Sequence, residues 1–257
     1  MNQDTLNQML YFGPGFIPGE IWTSLFAIII IAILAIVIAI VFRHQDPTKP
    51  DKNYFIMIVE TLIEKVENFV VSLMGERWRW FSGYILGLGA YMVVCFILSL
   101  IGFPAPFSYL GSTLGIALVT FVMIHVTAMK VNKWKYYQRY LDPLPIFLPI
   151  NLISMWAPLL SLAFRLFGNV LAGFTLMSIV YYFLGAASNA IFGGIIGGPA
   201  ASIILPPFVT PVLHAYFDVF SGAVQTMIFT MLTMLFIAQE DPDEEVEDIE
   251  KASSLKA

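Results

Sequence analysis

Three runs of this sequence are nearly free of charge, and they decide what the chain can become. From Ile21 to Phe42 there are 22 consecutive uncharged residues, and from Trp80 to Met129 there are 50. From Pro143 to Phe217 the only charged residue is Arg165. A helix of about 20 apolar residues crosses the roughly 30 Å hydrocarbon layer of a bilayer. Composition points the same way. Over 257 residues, 58% are apolar, 12% are charged and the mean hydropathy is +0.80, against about 45–50% apolar and about 25% charged in a soluble domain. A net charge of −5 leaves no basic surface for nucleic acid. One cysteine, Cys95, excludes a disulfide scaffold and a cysteine-rich metal site. The expected class is an all-α integral membrane protein.

The first run reads as a span over 21–42. It is too long for the apolar core of a signal peptide, and Asp4 and Glu20 precede it in place of a basic segment. The second run is divided by the breaker-rich segment Gly102–Gly111 into spans at 81–101 and 112–129. Lys130, Lys133, Lys135, Arg139 and Asp142 then mark a water-facing loop. Prolines at 143, 145 and 149 discourage regular helix before about Ile150. The glycine-rich run Asn189–Pro199 reads as a turn, which leaves a fourth span over 150–183 and a fifth over 205–238. At 1.5 Å per residue the fourth would be about 50 Å long, so it must be steeply tilted, bent near Pro158, or both. A tilted helix can lay its polar stripe along a neighbour, and here that helix is expected to pack against the C-terminal one.

Lysine and arginine favour the cytoplasmic side. Arg43, Lys49 and Lys52 follow the first span, Arg77 and Arg79 precede the second, and the 130–139 cluster follows the third. The loops at 102–111 and 186–204 carry no basic residue. Five crossings then put residues 1–20 outside and the C-terminus in the cytoplasm. Trp78, Trp80, Tyr84, Trp134, Tyr136 and Tyr137 mark the inner interface, and Trp22, Tyr181 and Tyr182 the outer one. Residues 54–75 set Glu60, Glu64, Glu67, Asn68 and Ser72 against Phe55, Ile58, Val59, Leu62, Ile63, Val66, Phe69 and Leu73. This is an amphipathic interfacial helix. Its acidic polar face suits anionic lipid poorly and favours a protein neighbour, or else it folds on the chain's own loops. The tail at 240–257 carries eight acids between Glu240 and Glu250 and reads as a solvated end.

Two ionisable groups fall at membrane depth, Arg165 and Asp218. A mid-membrane arginine costs about 2.5–3.5 kcal/mol on insertion scales, and it cannot shed its proton to escape. Ser161, Arg165 and Asn169 lie four apart, on one helical stripe. His214, Asp218, Ser221, Gly222 and Gln225 fall at intervals of three and four on the last span. One reading is a structural Arg165–Asp218 ion pair that fastens two helices. It leaves Ser161, Asn169, His214 and Gln225 unexplained, whereas a water-accessible ion route accounts for them all.

The string Ser161-Leu-Ala-Phe-Arg-Leu-Phe-Gly-Asn-Val-Leu-Ala-Gly173, with Gln225-Thr-Met-Ile-Phe-Thr-Met-Leu-Thr some fifty residues later, resembles subunit a of the F-type ATP synthase. Arg-Leu-Phe-Gly-Asn is highly specific, and the resemblance covers nearly the whole chain. It implies a stator of a bacterial cell-membrane motor, beside a rotating ring of c subunits that each carry a mid-membrane carboxylate. The peripheral stalk b subunit and the other synthase subunits would be its further partners. Two offset aqueous half-channels would open to opposite sides. Arg165 would face the ring, Asn169 and Gln225 would be its polar neighbours, and Ser161 would line a channel. Asp218 falls where the family commonly has glutamate or histidine in the outer half-channel.

The sequence departs from that pattern in places. The position nine after the arginine often carries Glu or His and works with the site that is Asp218 here, but this chain has Phe174. The outer loop at 101–113 holds no acid. His214, one turn before Asp218, is a candidate substitute partner, and His125 in the third span reads as a packed histidine. There is no phosphate-binding G-x-x-x-x-G-K-[ST] loop, no H-E-x-x-H and no cysteine–histidine metal set, so neither ATP hydrolysis by the chain alone nor a cofactor is expected. A stand-alone secondary transporter with the Arg165 and Asp218 stripes as its substrate site is the alternative. Such folds usually show internal repeats, and none is found.

Overall fold

The computed structural model describes residues 19–44, 54–133, 136, 148–196 and 199–240. Every regular element among them is helical: α1 (Gly19–Arg43), α2 (Tyr54–Met74), α3 (Ser82–Leu100), α4 (Leu110–Asn132) and α5 (Leu148–Ile196). Then α6 (Pro206–His214), a π-helical segment (Ala215–Phe220) and α7 (Ser221–Ala238) follow one another without a gap. Five stretches are long and apolar enough to cross a bilayer, at Gly19–Arg43, Glu76–Leu100, Leu110–Val131, Leu148–Ile195 and Ala200–Ala238. The protein is an all-α, multi-pass membrane protein. Residues 1–18, the acidic tail beyond Glu240, Lys49, Lys52, Trp134, Lys135, Tyr137, Arg139 and Asp142 lie outside the described residues.

Helices α3, α4, α5 and α7 meet around Leu88, Met92, Cys95, Phe121, Leu162, Leu166 and Phe229. Lipid tails are as apolar as leucine, so such a bundle is held by close packing and interhelical hydrogen bonds more than by exclusion of water. Both devices are present. A Cβ on Gly222 would stand 2.9 Å from the Phe96 ring, a distance only glycine leaves open. Thr120 of α4 and Thr233 of α7 share a buried hydrogen bond of 3.4 Å. α1 is attached more lightly, through buried Gly19, Thr23 and Ala27 and through the Tyr91 hydroxyl, which donates to Ser24 Oγ at 3.1 Å.

α2 ends at Gly75, whose φ of 86° suits glycine. The chain then turns through a 3₁₀ segment, Glu76–Phe81, into α3. Val70 and Met74 pack into a second core with Trp78, Phe81, Ile85, Ile124, Met234 and Ile237. The face that suggested a protein neighbour is therefore largely taken by the chain itself, although Phe55, Ile58 and Leu62 remain exposed on another side.

The largest departure from the sequence reading is α5. It begins at Leu148 and continues to Ile196, where an end near residue 183 and a turn from Asn189 were expected. Glycine costs about 1 kcal/mol in a helix interior, but tertiary contacts hold this extension. The buried Ser188 hydroxyl donates to the Ala201 carbonyl and accepts the Leu205 N–H at 3.2 Å. That couples the extended end of α5 to the 3₁₀ segment Pro199–Ile203. Gly185 lies beneath Ser202, whose carbonyl oxygen would be 3.7 Å from an added Cβ. Forty-nine residues make a helix of roughly 74 Å, far longer than the bilayer core is thick.

Candidate functional site

α5 places Ser161, Arg165, Asn169, Gly173, Met177 and Tyr181 four residues apart, along one slowly drifting row. The α6–π–α7 ribbon runs beside it. Gly173 permits the approach, with the Phe217 Cβ 3.9 Å from where its own Cβ would be. Along this seam the two rows meet. Ser221 donates to Asn169 Oδ1 at 3.0 Å, which joins two residues singled out from sequence. Gln225, one turn further along α7, is only 3% exposed, and its Nε2 finds no hydrogen-bond partner among the described residues. An unpaired buried amide is costly, and it is aimed into the zone where Arg165 and Asn169 lie.

Arg165 is exposed, and its Nη2 reaches Ser161 Oγ at 3.5 Å. Among the described residues it has no carboxylate within ion-pair distance. Asp218 is paired elsewhere, with His214 Nδ1 2.5 Å from its Oδ2. The structural Arg165–Asp218 ion pair weighed from sequence is not formed. Phe164, Leu171 and Phe174 flank the guanidinium and are 53%, 41% and 71% exposed, so the arginine belongs to a bare face of α5 and not to the interior of the bundle.

The aspartate lies in the π-helical segment, a wider turn of the kind that recurs at functional sites. His214 joins it to α5. Its Nδ1 faces Asp218 and its Nε2 lies 2.9 Å from the Tyr181 hydroxyl. With a proton on Nδ1 donated to the carboxylate, Nε2 accepts from the phenol, so a neutral imidazole satisfies both contacts. His214 and Asp218 keep 37% and 35% side-chain exposure. The sequence named His214 and Asp218 but read Tyr181 only as an interfacial aromatic. Its signal was the four-residue row from Ser161, extended three steps beyond Asn169. Phe174 enters no polar contact, and Tyr181 supplies the polar group on α5 that faces His214. His125 lies apart from this seam, on α4 against Phe121, with ring centroids 4.1 Å apart. Among the described residues no group of three or more His, Cys, Asp and Glu could hold a metal ion.

The arrangement can do two things. A fixed cation on an exposed helical face can stabilise an anion brought to it from outside the chain. A Tyr–His–Asp chain can pass or hold a proton between two helices.

Comparison with known proteins agrees with this seam. The family described as ATP synthase A chain matches residues 24–238. A protein from Mycoplasmoides gallisepticum called ATP synthase subunit a is 29% identical over 239 residues, which cover 87% of this chain and 78% of that relative. One of the same name from Mycoplasma genitalium is 31% identical, over 77% of this chain and 70% of the relative. Another from Listeria monocytogenes is 27% identical, over 86% of this chain and 92% of the relative.

Proposed function

The chain belongs to the ATP synthase A chain family, and from that premise we propose that it is the stator half of a membrane ion motor, with Arg165 as its coupling residue. The observation that carries the reading is an arginine on the bare face of a membrane helix, with no carboxylate of its own chain among the described residues to pair with. Its counter-ion comes from another subunit. The resemblance of the Arg-Leu-Phe-Gly-Asn string supplies the partner: a ring of c subunits whose mid-membrane carboxylates pass this face in turn.

A rotor carboxylate that loses its ion in hydrocarbon faces a penalty of many kcal/mol. Opposite Arg165 that penalty falls, because the guanidinium is charged at every physiological pH. The carboxylate cannot move on into lipid until it is neutralised again from the other side. The same cation repels any ion that tries to cross without the rotor. The membrane potential adds about 2.3 kcal/mol per charge for each 100 mV, and rotation accumulates it. Tyr181, His214 and Asp218 form the ion route on the side where α5 ends, which the lysine and arginine distribution makes the outside. On this reading the termini lie on opposite sides of a bacterial cell membrane, and the b subunit and soluble ATPase subunits complete the complex.

The test is ATP-driven ion pumping in vesicles that hold the whole complex. With Arg165→Ala, pumping should fall to background while the complex still assembles. Coupled pumping at the wild-type rate would overturn the reading.

A further inference from the structure

A second polar feature lies on α5 before Arg165, and neither the seam nor Tyr181 uses it. A cavity of about 160 Å³ is lined by Ile124 and His125 of α4, by Tyr136, by Asn151, Ser154, Met155 and Pro158 of α5, and by Glu240 just beyond α7. A single water needs about 10–15 Å³ of such space and two to four polar partners, so this cavity has room for several. Its α5 wall is no isolated patch. Asn151, Ser154, Pro158, Ser161 and Arg165 follow at intervals of three, four, three and four, one helical face that leads from the cavity to the guanidinium. Pro158 is about 10 Å along the helix from Arg165. It has no N–H, so the Ser154 carbonyl one turn back lacks its intrahelical donor. That adds a backbone acceptor to the same face.

Glu240 occupies a position that helix energetics disfavour. Its N–H is tied to the Ile237 carbonyl at 3.2 Å, which fixes it at the C-terminal end of α7. The helix dipole is negative there, and a carboxylate is worse placed than a lysine by some tenths of a kcal/mol. It is nonetheless half-buried at the cavity wall. His125 is set across from it by an aromatic wall, edge-on to Phe121, which stacks on Trp156 at 5.0 Å. The Thr120–Thr233 hydrogen bond holds the α4 and α7 walls together.

We propose that this cavity is the vestibule through which the ion enters or leaves on the side where α7 ends, with Glu240 as its acid and His125 as its second exchanging group. The inference rests on the stator reading above. The vestibule and the Tyr181–His214–Asp218 chain then lie on opposite sides of Arg165 along α5, so an ion using one cannot reach the other except past the arginine. The acid on this side comes from the end of the last helix, because α5 itself offers only Asn151 and Ser154 there.

Vesicles of both orientations holding the whole complex provide the test. Asn151→Cys or Ser154→Cys is treated with a membrane-impermeant methanethiosulfonate, with the parent chain as control because its one thiol, Cys95, is fully buried. ATP-driven pumping by either variant should fall several-fold when the reagent meets the face on which α7 ends, and stay unchanged when it meets the other. Separately, Glu240→Gln should lower pumping several-fold at an unchanged amount of complex, and Glu240→Asp should recover most of it. Wild-type pumping by Glu240→Gln, or thiol variants indifferent to the reagent on both faces, would overturn the vestibule. If Arg165→Ala abolishes pumping in the same preparations, that failure leaves the stator reading standing. If Arg165→Ala pumps normally, both fall.

Discussion

α1 and α5 are equally bare in the isolated chain: 6% of the apolar window of each is buried. They are bare for different reasons. α1 exposes Leu25, Phe26, Ile28, Ile29, Ile33, Ile36 and Ile40, and lipid satisfies all of them. α5 exposes Ser161, Arg165, Asn169 at its margin and Tyr181 among its phenylalanines, and lipid satisfies none of these. Exposure alone therefore says little in a membrane protein. The question is whether hydrocarbon could be the solvent for the exposed group, and where it could not, a water path or another subunit must cover it.

The comparison is broken most severely at Arg165. If the bare face of α5 is an ion-coupling face, Arg165→Lys should fail nearly as completely as alanine, because lysine can deprotonate when desolvated and lacks the planar fork. Pumping should drop on the order of 100-fold or more, equivalent to about 2.7 kcal/mol. A lysine variant that pumps within a factor of two of the parent would show that any positive group suffices. Asp218→Asn should come next. It keeps the shape and can still bond His214, but it cannot exchange a proton, so flux should slow by about tenfold, or ~1.4 kcal/mol. The complex should still assemble, as checked by co-purification of its subunits. Unchanged flux would leave Asp218 a structural group. Tyr181→Phe removes one hydroxyl from the His214 contact. A hydrogen bond is worth about 1 kcal/mol net, so about fivefold slower flux is expected, with recovery in Tyr181→His if the polar contact is what matters.

The difference between these two helices was partly legible in the sequence. Charge-free runs locate membrane helices because hydrocarbon tolerates so few charges, and the four-residue row around Arg165 was visible for the same reason. The end of α5 was not. The segment Asn189–Gly194 holds glycines that by propensity should form a turn, and the contacts that keep it helical, from Ser188 to Ala201 and Leu205, are made across a reversal of the chain. Tyr181 was missed because interfacial tyrosines are common, and a row that drifts by four residues at a time looks like chance after three steps. The π turn at Asp218 leaves no mark in local sequence. Such a turn arises from the fit of one helix to its neighbour, and periodicity averages over it.

The smallest effect should come from α1, and it sharpens the comparison from the other side. The hydrogen bond from Tyr91 to Ser24 is the polar tie between α1 and α3 among the described residues, and the rest of α1 offers hydrocarbon to hydrocarbon. Interhelical hydrogen bonds in membranes average about 0.6 kcal/mol by double-mutant cycles. Tyr91→Phe should therefore lower the thermal stability of the detergent-solubilised chain slightly and leave ion flux at the parent rate, since no ion path passes α1. A flux loss as large as that of Tyr181→Phe would mean that α1 takes part in coupling. The distinction between a lipid-bare helix and a partner-bare helix would then fail.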